Sequence, residues 1–151
     1  MRGWLLDTNV LSELARPRPD PSVISWLAAI PEERAFVSVL TLAEIDQGIE
    51  ALPPADERRA RYQCFRDHIE AQFAGRIVSL ADDTVRLWGA LSGRRRRSYC
   101  GKTPVIDALL AASAQRRNLY LATRNVADVR QLGASAFNPG SDDPAAFPVQ
   151  L

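Results

Sequence analysis

Trp4-Leu5-Leu6-Asp7-Thr8-Asn9 is the stretch that decides the fold, because an apolar run ends there at an acidic residue. Three apolar residues followed by Asp-Thr-Asn predict a short buried strand that turns directly into a helix. The same pattern recurs along the chain, with further strands expected at 35–39, 77–80, 119–123 and, at the sheet edge, 135–137. Strands that alternate with helices predict an α/β fold, a three-layer α/β/α sandwich around a short, mostly parallel sheet.

Size and composition favour one globular domain. The chain has 151 residues, of which 46% are hydrophobic and 25% charged, so it can bury a sizeable core. We expect a single domain over 1–138 and a polar, proline-bearing tail over 139–151 that is loosely held. No apolar run approaches the roughly 20 residues that span a bilayer, and no signal peptide is evident. We therefore expect a cytoplasmic protein without a membrane partner.

Cysteine and histidine offer little chemistry in this chain. Cys64 and Cys100 lack the spacing of metal ligands, and two cysteines fit a reducing compartment. His68 is the only histidine and lies in a segment that reads as a charged helix, so we expect it at the surface.

Four acidic residues lie where separate segments turn from strand into helix. They are Asp7, Glu44, Asp107 and Asp128. Because ligands of open α/β sheets bind outside the carboxyl ends of the strands, we expect these side chains to converge. Clustered carboxylates repel one another unless a cation neutralises them, and hard oxygen ligands suit Mg²⁺ or Mn²⁺. The pattern indicates a metal-dependent enzyme that acts on phosphate esters.

Each acid also has a structural explanation. Asp7 could be a turn residue that accepts backbone hydrogen bonds. The segment 41–44, Thr-Leu-Ala-Glu, matches a capping box in which Glu44 folds back on the start of its helix, and 125–128 resembles one ending at Asp128. Asp107 resists this explanation, because its apolar neighbours predict burial and an unpaired buried carboxylate is destabilising.

The charge distribution is uneven although the formal net charge is only +1. Four arginines run together, and a lysine follows closely: Arg94, Arg95, Arg96, Arg97 and Lys102. Cations suit the end of a solvated helix, and they also suit contacts with a phosphate backbone. The run alone does not distinguish these two roles.

Four segments together resemble the PIN-domain family, most closely the ribonuclease toxins of bacterial toxin–antitoxin pairs (VapC-like and FitB-like). In chain order they are 5–13 (LLDTNVLSE), 38–45 (SVLTLAEI), 107–112 (DALLAA) and 122–129 (ATRNVADV). One departure is Val129, which stands where the family often has phenylalanine after the final acid.

The resemblance implies a Mg²⁺-dependent endoribonuclease with a PIN-like fold. It places metal-binding and catalytic roles on Asp7, Glu44, Asp107 and Asp128, with Mn²⁺ as a substitute ion. The supporting polar groups it implies are Thr8, Ser38 and Asn125. It further implies a homodimer, an antitoxin partner that blocks the site, and contact with operator DNA only through that antitoxin. The arginine run and Lys102 would then contact the RNA substrate.

Two other functions remain open from the residues alone. A phosphatase of the aspartyl-phosphate type also carries an aspartate after its first strand, but it needs a second one two residues later, where this chain has Asn9. A catalytically silent binding module would use the acids only as helix caps. Asp107, in its apolar setting, argues against that module.

Overall fold

A five-stranded parallel sheet forms the middle of the computed structural model, which describes residues 2–98 and 104–148. The strand order is β3-β2-β1-β4-β5, and every neighbouring pair is parallel. The strands are β1 (Trp4–Leu6), β2 (Ala35–Ser38), β3 (Ile77–Val78), β4 (Tyr120–Ala122) and β5 (Ala136–Phe137). The five predicted strands, including the one at the edge, are confirmed, although most are shorter than expected.

Seven helices in the described residues connect or flank the strands. They are α1 (Thr8–Leu11), α2 (Pro21–Ala29), α3 (Val39–Glu50), α4 (Arg58–Gln72), α5 (Asp82–Ser98), α6 (Val105–Arg116) and α7 (Val126–Arg130). Short 3-10 turns lie at Ser12–Ala15, Glu32–Arg34 and Pro144–Ala146. Helix α3 begins at Val39, before the capping box considered at 41–44, and α5 continues through the arginine run to Ser98.

Two apolar cores, one on each face of the sheet, make the three layers. Alternation along the strands sends Leu5 and Leu121 toward α5, α6 and α7. The same alternation sends Trp4, Leu6 and Val37 toward α1, α2 and α4. Because both faces are covered by helices, the strands are apolar at nearly every position, as parallel sheets require. The predicted α/β/α sandwich is confirmed.

The described part of the tail is packed, contrary to the expectation that it is loose. The Phe147 ring centroid lies 5.0 Å from that of Phe137 and 5.4 Å from that of Tyr120. The Tyr120 hydroxyl donates to the carbonyl of Pro148 at 3.2 Å. Residues 139–148 therefore extend the aromatic core around Trp4, because a phenylalanine at 147 gives the polar tail an apolar anchor.

Several smaller expectations can be compared with the described residues. His68 and Cys64 are exposed, as a surface helix predicts. None of the described helices is both long enough and apolar enough to cross a bilayer. Cys100 and Lys102 lie outside the described residues.

Candidate functional site

Asp7 is held at the carboxyl end of the central strand by three hydrogen bonds. Its Oδ1 accepts from the backbone N–H of Thr8 at 2.7 Å, which caps α1. Its Oδ2 accepts from Asn9 Nδ2 at 2.8 Å and from the Thr123 hydroxyl at 2.7 Å. Only 5% of the residue is exposed. The side chain is therefore fixed in place and largely removed from water.

Burial raises the pKa of Asp7 from 3.8 to about 6. Desolvation is the largest cause, and the nearby charges of Glu44 and Asp107 raise the pKa further. The hydrogen bonds from Thr123 and Thr8 lower it, but they do not offset the burial. Two carboxylates from distant parts of the chain thus lie near enough to Asp7 to act on it electrostatically, and their places at helix starts led us to expect this proximity.

Glu44 is connected to Asp7 through Thr8. The Thr8 hydroxyl donates to Glu44 Oε2 at 2.5 Å, while the N–H of the same residue donates to Asp7. The capping-box explanation of Glu44 was wrong, because α3 begins one turn earlier, with Ser38 as its cap. The Ser38 hydroxyl accepts from Leu40 N–H at 3.1 Å. Ser38 thus starts the helix that carries Glu44, rather than holding a carboxylate as we had expected.

Asp107 is connected to Asp7 from the other side of the site. Asn125 Nδ2 donates to Asp107 Oδ2 at 2.7 Å, and the Asn125 N–H donates to the Thr123 hydroxyl oxygen at 3.1 Å. Thr123 in turn donates to Asp7. Asp107 is half-buried rather than fully buried, because it lies in the first turn of α6 at the edge of the apolar core. Asn125 supports this acid, as the sequence predicted.

Thr123 and Asn9 are the residues that our site prediction undervalued. Thr123 is fully buried and contacts Asp7, Asn9 and Asn125 through its hydroxyl. Asn9 donates to Asp7 and accepts from the backbone N–H of Arg124 at 3.1 Å. The signal was available, since both are polar residues just after an apolar strand. Asn9 cannot act as the acid/base group of an aspartyl-phosphate phosphatase, because a side-chain amide does not titrate.

Asp128 lies apart from the other three acids. Its Oδ1 accepts from Arg95 Nη2 at 2.6 Å, and its side chain is 36% exposed. Arg95 itself is buried, so the expectation that all four arginines face RNA was wrong at this position. Because 95 falls on the inner side of α5, its guanidinium packs inward while Arg94, Arg96 and Arg97 remain exposed. Asp128 is therefore better explained as the partner of Arg95 than as a member of the carboxylate cluster.

The donor atoms of the cluster suit a hard divalent cation. Three hydrogen bonds occupy three of the roughly four acceptor positions of the Asp7 carboxylate. Glu44 Oε1 and Asp107 Oδ1 have no hydrogen-bond partner among the described residues. Within 2–98 and 104–148, no group of three or more acidic, His or Cys side chains is arranged so that it could hold a metal ion as it stands. The chemistry of the donors fits Mg²⁺ or Mn²⁺, and their mutual repulsion favours such an ion.

The raised pKa predicts how stability depends on pH in the metal-free protein. Folded Asp7 binds its proton more tightly than unfolded Asp7, so its contribution is most favourable below pH 4 and is lost as pH rises through about 6. A shift of about two pKa units corresponds to roughly 3 kcal/mol. We expect the free energy of unfolding of the wild type, minus that of Asp7→Asn, to fall over this range. Urea titrations in EDTA would measure it, and a difference independent of pH would contradict the burial of Asp7.

In a comparison with known proteins, one family model covers every residue of the candidate site. A family model described as the PIN domain matches residues 4–131. The chain is 31% identical to Toxin FitB of Neisseria gonorrhoeae over 142 residues, covering 91% of this chain and 99% of that protein. It is 30% identical to VapC ribonuclease Y4jK of Sinorhizobium fredii, covering 89% and 96%. A solved structure of FitAB bound to an IR36 DNA fragment is similar with a TM-score of 0.84 and 26% identity, covering 93% and 97%.

Proposed function

The chain belongs to the PIN-domain family, and from this premise we propose that it is a metal-dependent endoribonuclease serving as the toxin of a toxin–antitoxin pair. The observation that carries the proposal is the carboxylate of Asp7, whose pKa is raised first by its burial and further by the neighbouring charges of Glu44 and Asp107. The names of two relatives, a toxin and a ribonuclease, support the same activity. The substrate class is RNA, hydrolysed at its phosphodiester bonds.

Asp7, Glu44 and Asp107 would hold Mg²⁺, with Mn²⁺ as a substitute. When bound, the ion would polarise the scissile phosphate and lower the pKa of a water for attack. The chain's own groups keep the three carboxylates in position. Thr8 orients Glu44 at 2.5 Å, and Asn125 orients Asp107 at 2.7 Å. The buried hydroxyl of Thr123 joins the two halves of the cluster through Asp7.

Exposed arginines on α5 would bring RNA to this cluster. Arg94, Arg96 and Arg97 project from the last turns of the helix and are exposed. Contacts of this kind neutralise phosphates without reading sequence, so they would raise affinity for any RNA. Lys102 would add to the same surface, although it lies outside the described residues.

The proposed partners follow from the relatives. A solved structure shows FitAB bound to a DNA fragment, and this chain resembles a chain of that structure over nearly its full length. We therefore expect an antitoxin that blocks the carboxylate cluster and contacts operator DNA, so that the toxin meets DNA only indirectly. A homodimer and a cytoplasmic location complete the proposal.

Incubation of the purified chain with structured RNA tests the activity itself. Cleavage is expected with Mg²⁺ or Mn²⁺ and is expected to stop in EDTA and recover when the ion is restored. A panel of transfer, ribosomal and messenger RNA is needed, because loops recognised by shape leave no short motif in the protein. Absence of cleavage throughout the panel, with the chain folded and free of antitoxin, would reject the proposed function.

One isosteric substitution and one truncation should separate the roles of Asp128 and Asn125. Asp128→Asn is expected to leave cleavage within about threefold of wild type, because Asp128 contacts Arg95 and not the cluster. Asn125→Ala is expected to reduce cleavage by about 10–100-fold, since it removes the donor that orients Asp107. Initial rates at saturating Mg²⁺ measure both, with circular dichroism as the check on folding. If Asp128→Asn lost more cleavage activity than Asn125→Ala, Asp128 would have to be counted among the catalytic carboxylates.

A further inference from the structure

A groove of about 340 Å³ opens beside the carboxylate cluster, between the start of the chain and helices α3 and α4. Its lining combines a polar group of the cluster, two cations and apolar or aromatic side chains. The residues that matter here are Thr8, Arg16, Ile45, Arg61, Tyr62 and Phe65. The proposed reaction does not use this groove. Thr8 lines the groove and its hydroxyl also donates to Glu44, so an occupant of the groove would lie next to the carboxylates.

The groove carries a surplus of positive charge. Arg61 is exposed and has no acidic partner among the described residues. The carboxylates on nearby turns of α3 are already paired, Asp46 with Arg66 at 2.9 Å and Glu50 with Arg59 at 3.0 Å. The unpaired guanidinium therefore favours an anionic occupant.

Arg16 is a second cation of the groove, although the ion-pair network it belongs to is balanced. It contacts Glu13 at 2.8 Å, Glu13 also pairs with Arg124 at 2.7 Å, and Arg124 pairs with Asp20 at 3.0 Å. The Arg16 side chain is 54% exposed, which leaves it accessible to an occupant of the groove.

An aromatic ring lines the same groove as these cations. Tyr62 is half-buried, and the Arg61 guanidinium lies 5.4 Å from its ring centroid. Phe65 and Ile45 supply apolar surface next to it. A flat ring with cations beside it suits an unstacked base attached to phosphates, since proteins that bind single-stranded RNA stack bases on aromatic rings and contact the backbone with arginine.

We propose that this groove is a nucleotide subsite for single-stranded RNA, with a base stacked on Tyr62 and flanking phosphates held by Arg61 and Arg16. The proposal rests on the proposed function, since it extends the substrate path away from the carboxylates. It gives the enzyme a contact with the nucleotide next to the scissile bond. Tyr62 would then be a substrate-binding residue rather than a catalytic one.

Binding in the absence of cleavage tests the subsite. A fluorescent single-stranded RNA oligonucleotide is titrated against the Asp7→Asn chain in EDTA, and its anisotropy gives Kd. Adding Tyr62→Ala is expected to weaken binding by about tenfold or more, whereas Tyr62→Phe keeps the ring and should stay within about twofold. Arg61→Gln should also weaken binding and reduce the salt dependence by about one counterion. Arg117→Gln, an exposed arginine at the end of α6, is the matched control and should change little.

Cleavage kinetics distinguish failure of the subsite from failure of the proposed function. With Asp7 intact, Tyr62→Ala should raise KM and leave kcat nearly unchanged. If the wild type cleaves RNA and neither Tyr62→Ala nor Arg61→Gln alters Kd or KM, the subsite is rejected and the nuclease stands. If these two variants leave Kd and KM for RNA unchanged but bind the antitoxin more weakly, the groove belongs to the protein partner and the subsite is also rejected. If the wild type cleaves no RNA, the proposed function fails, whatever the binding data show.

Discussion

Replacing Asp7 with asparagine is expected to reduce RNA cleavage by at least about 100-fold. Loss of a residue that only orients a metal ligand costs about 10–100-fold, and Asp7 would be a ligand itself. The substitution keeps the shape of the side chain and removes the charge at the centre of the cluster. Rates of cleavage at several Mg²⁺ concentrations measure the effect. Excess Mg²⁺ partly restores the rate if the substitution only weakens binding of the ion, and it does not if the reaction itself needs the lost charge.

The same substitution should make the metal-free protein more stable at neutral pH. Asp7 is ionised above its raised pKa of about 6 and is then a buried charge near two other acids. Asparagine removes that charge, but an amide NH2 in the place of Oδ2 no longer accepts hydrogen bonds from Asn9 and Thr123, so a gain of about 1 kcal/mol remains. Such a gain raises Tm by a few degrees in a chain of this size. Opposite changes in activity and stability would identify a functional residue, whereas loss of both would indicate a structural one.

Truncating Trp4 to alanine is expected to destabilise the fold by about 3–5 kcal/mol, the usual range for a large buried aromatic side chain. Trp4 is 3% exposed, and its ring centroid lies within 5.1 Å of those of Trp26, Tyr120 and Phe137. Because Phe147 also contacts it, the cavity would loosen the tail as well as the sheet. Denaturant unfolding would show the loss, and Tm should fall by about 10 °C.

A surface substitution provides the control for this loss. Val85→Ala removes an apolar side chain that is 42% exposed on α5, so its effect should stay within about 0.5 kcal/mol. If Trp4→Ala were equally mild, the aromatic cluster would not be the core of this face of the sheet. Accelerated proteolysis near the C-terminus of Trp4→Ala is the further sign expected from a loosened tail.

The fold could be predicted from the sequence because its signals are local. An apolar strand such as 4–6 or 120–122 is a continuous run, and the acid or hydroxyl that follows it marks the turn. The start of a helix could not be predicted in this way where two neighbouring residues can each serve as its N-cap. Ser38 and Thr41 can each begin a helix, and only packing of the first turn against both cores made Ser38 the cap.

The sequence by itself determined the alternation of strands and helices and the convergence of Asp7, Glu44 and Asp107, because parallel strands bring their carboxyl ends to one edge. Only the tertiary structure decided which polar groups hold those acids. Thr8 reaches Glu44 across 36 positions, and Thr123 reaches Asp7 across 116. It also decided that Arg95 pairs with Asp128. Such contacts depend on the orientation and burial of side chains from distant segments, and no local pattern of residues specifies either.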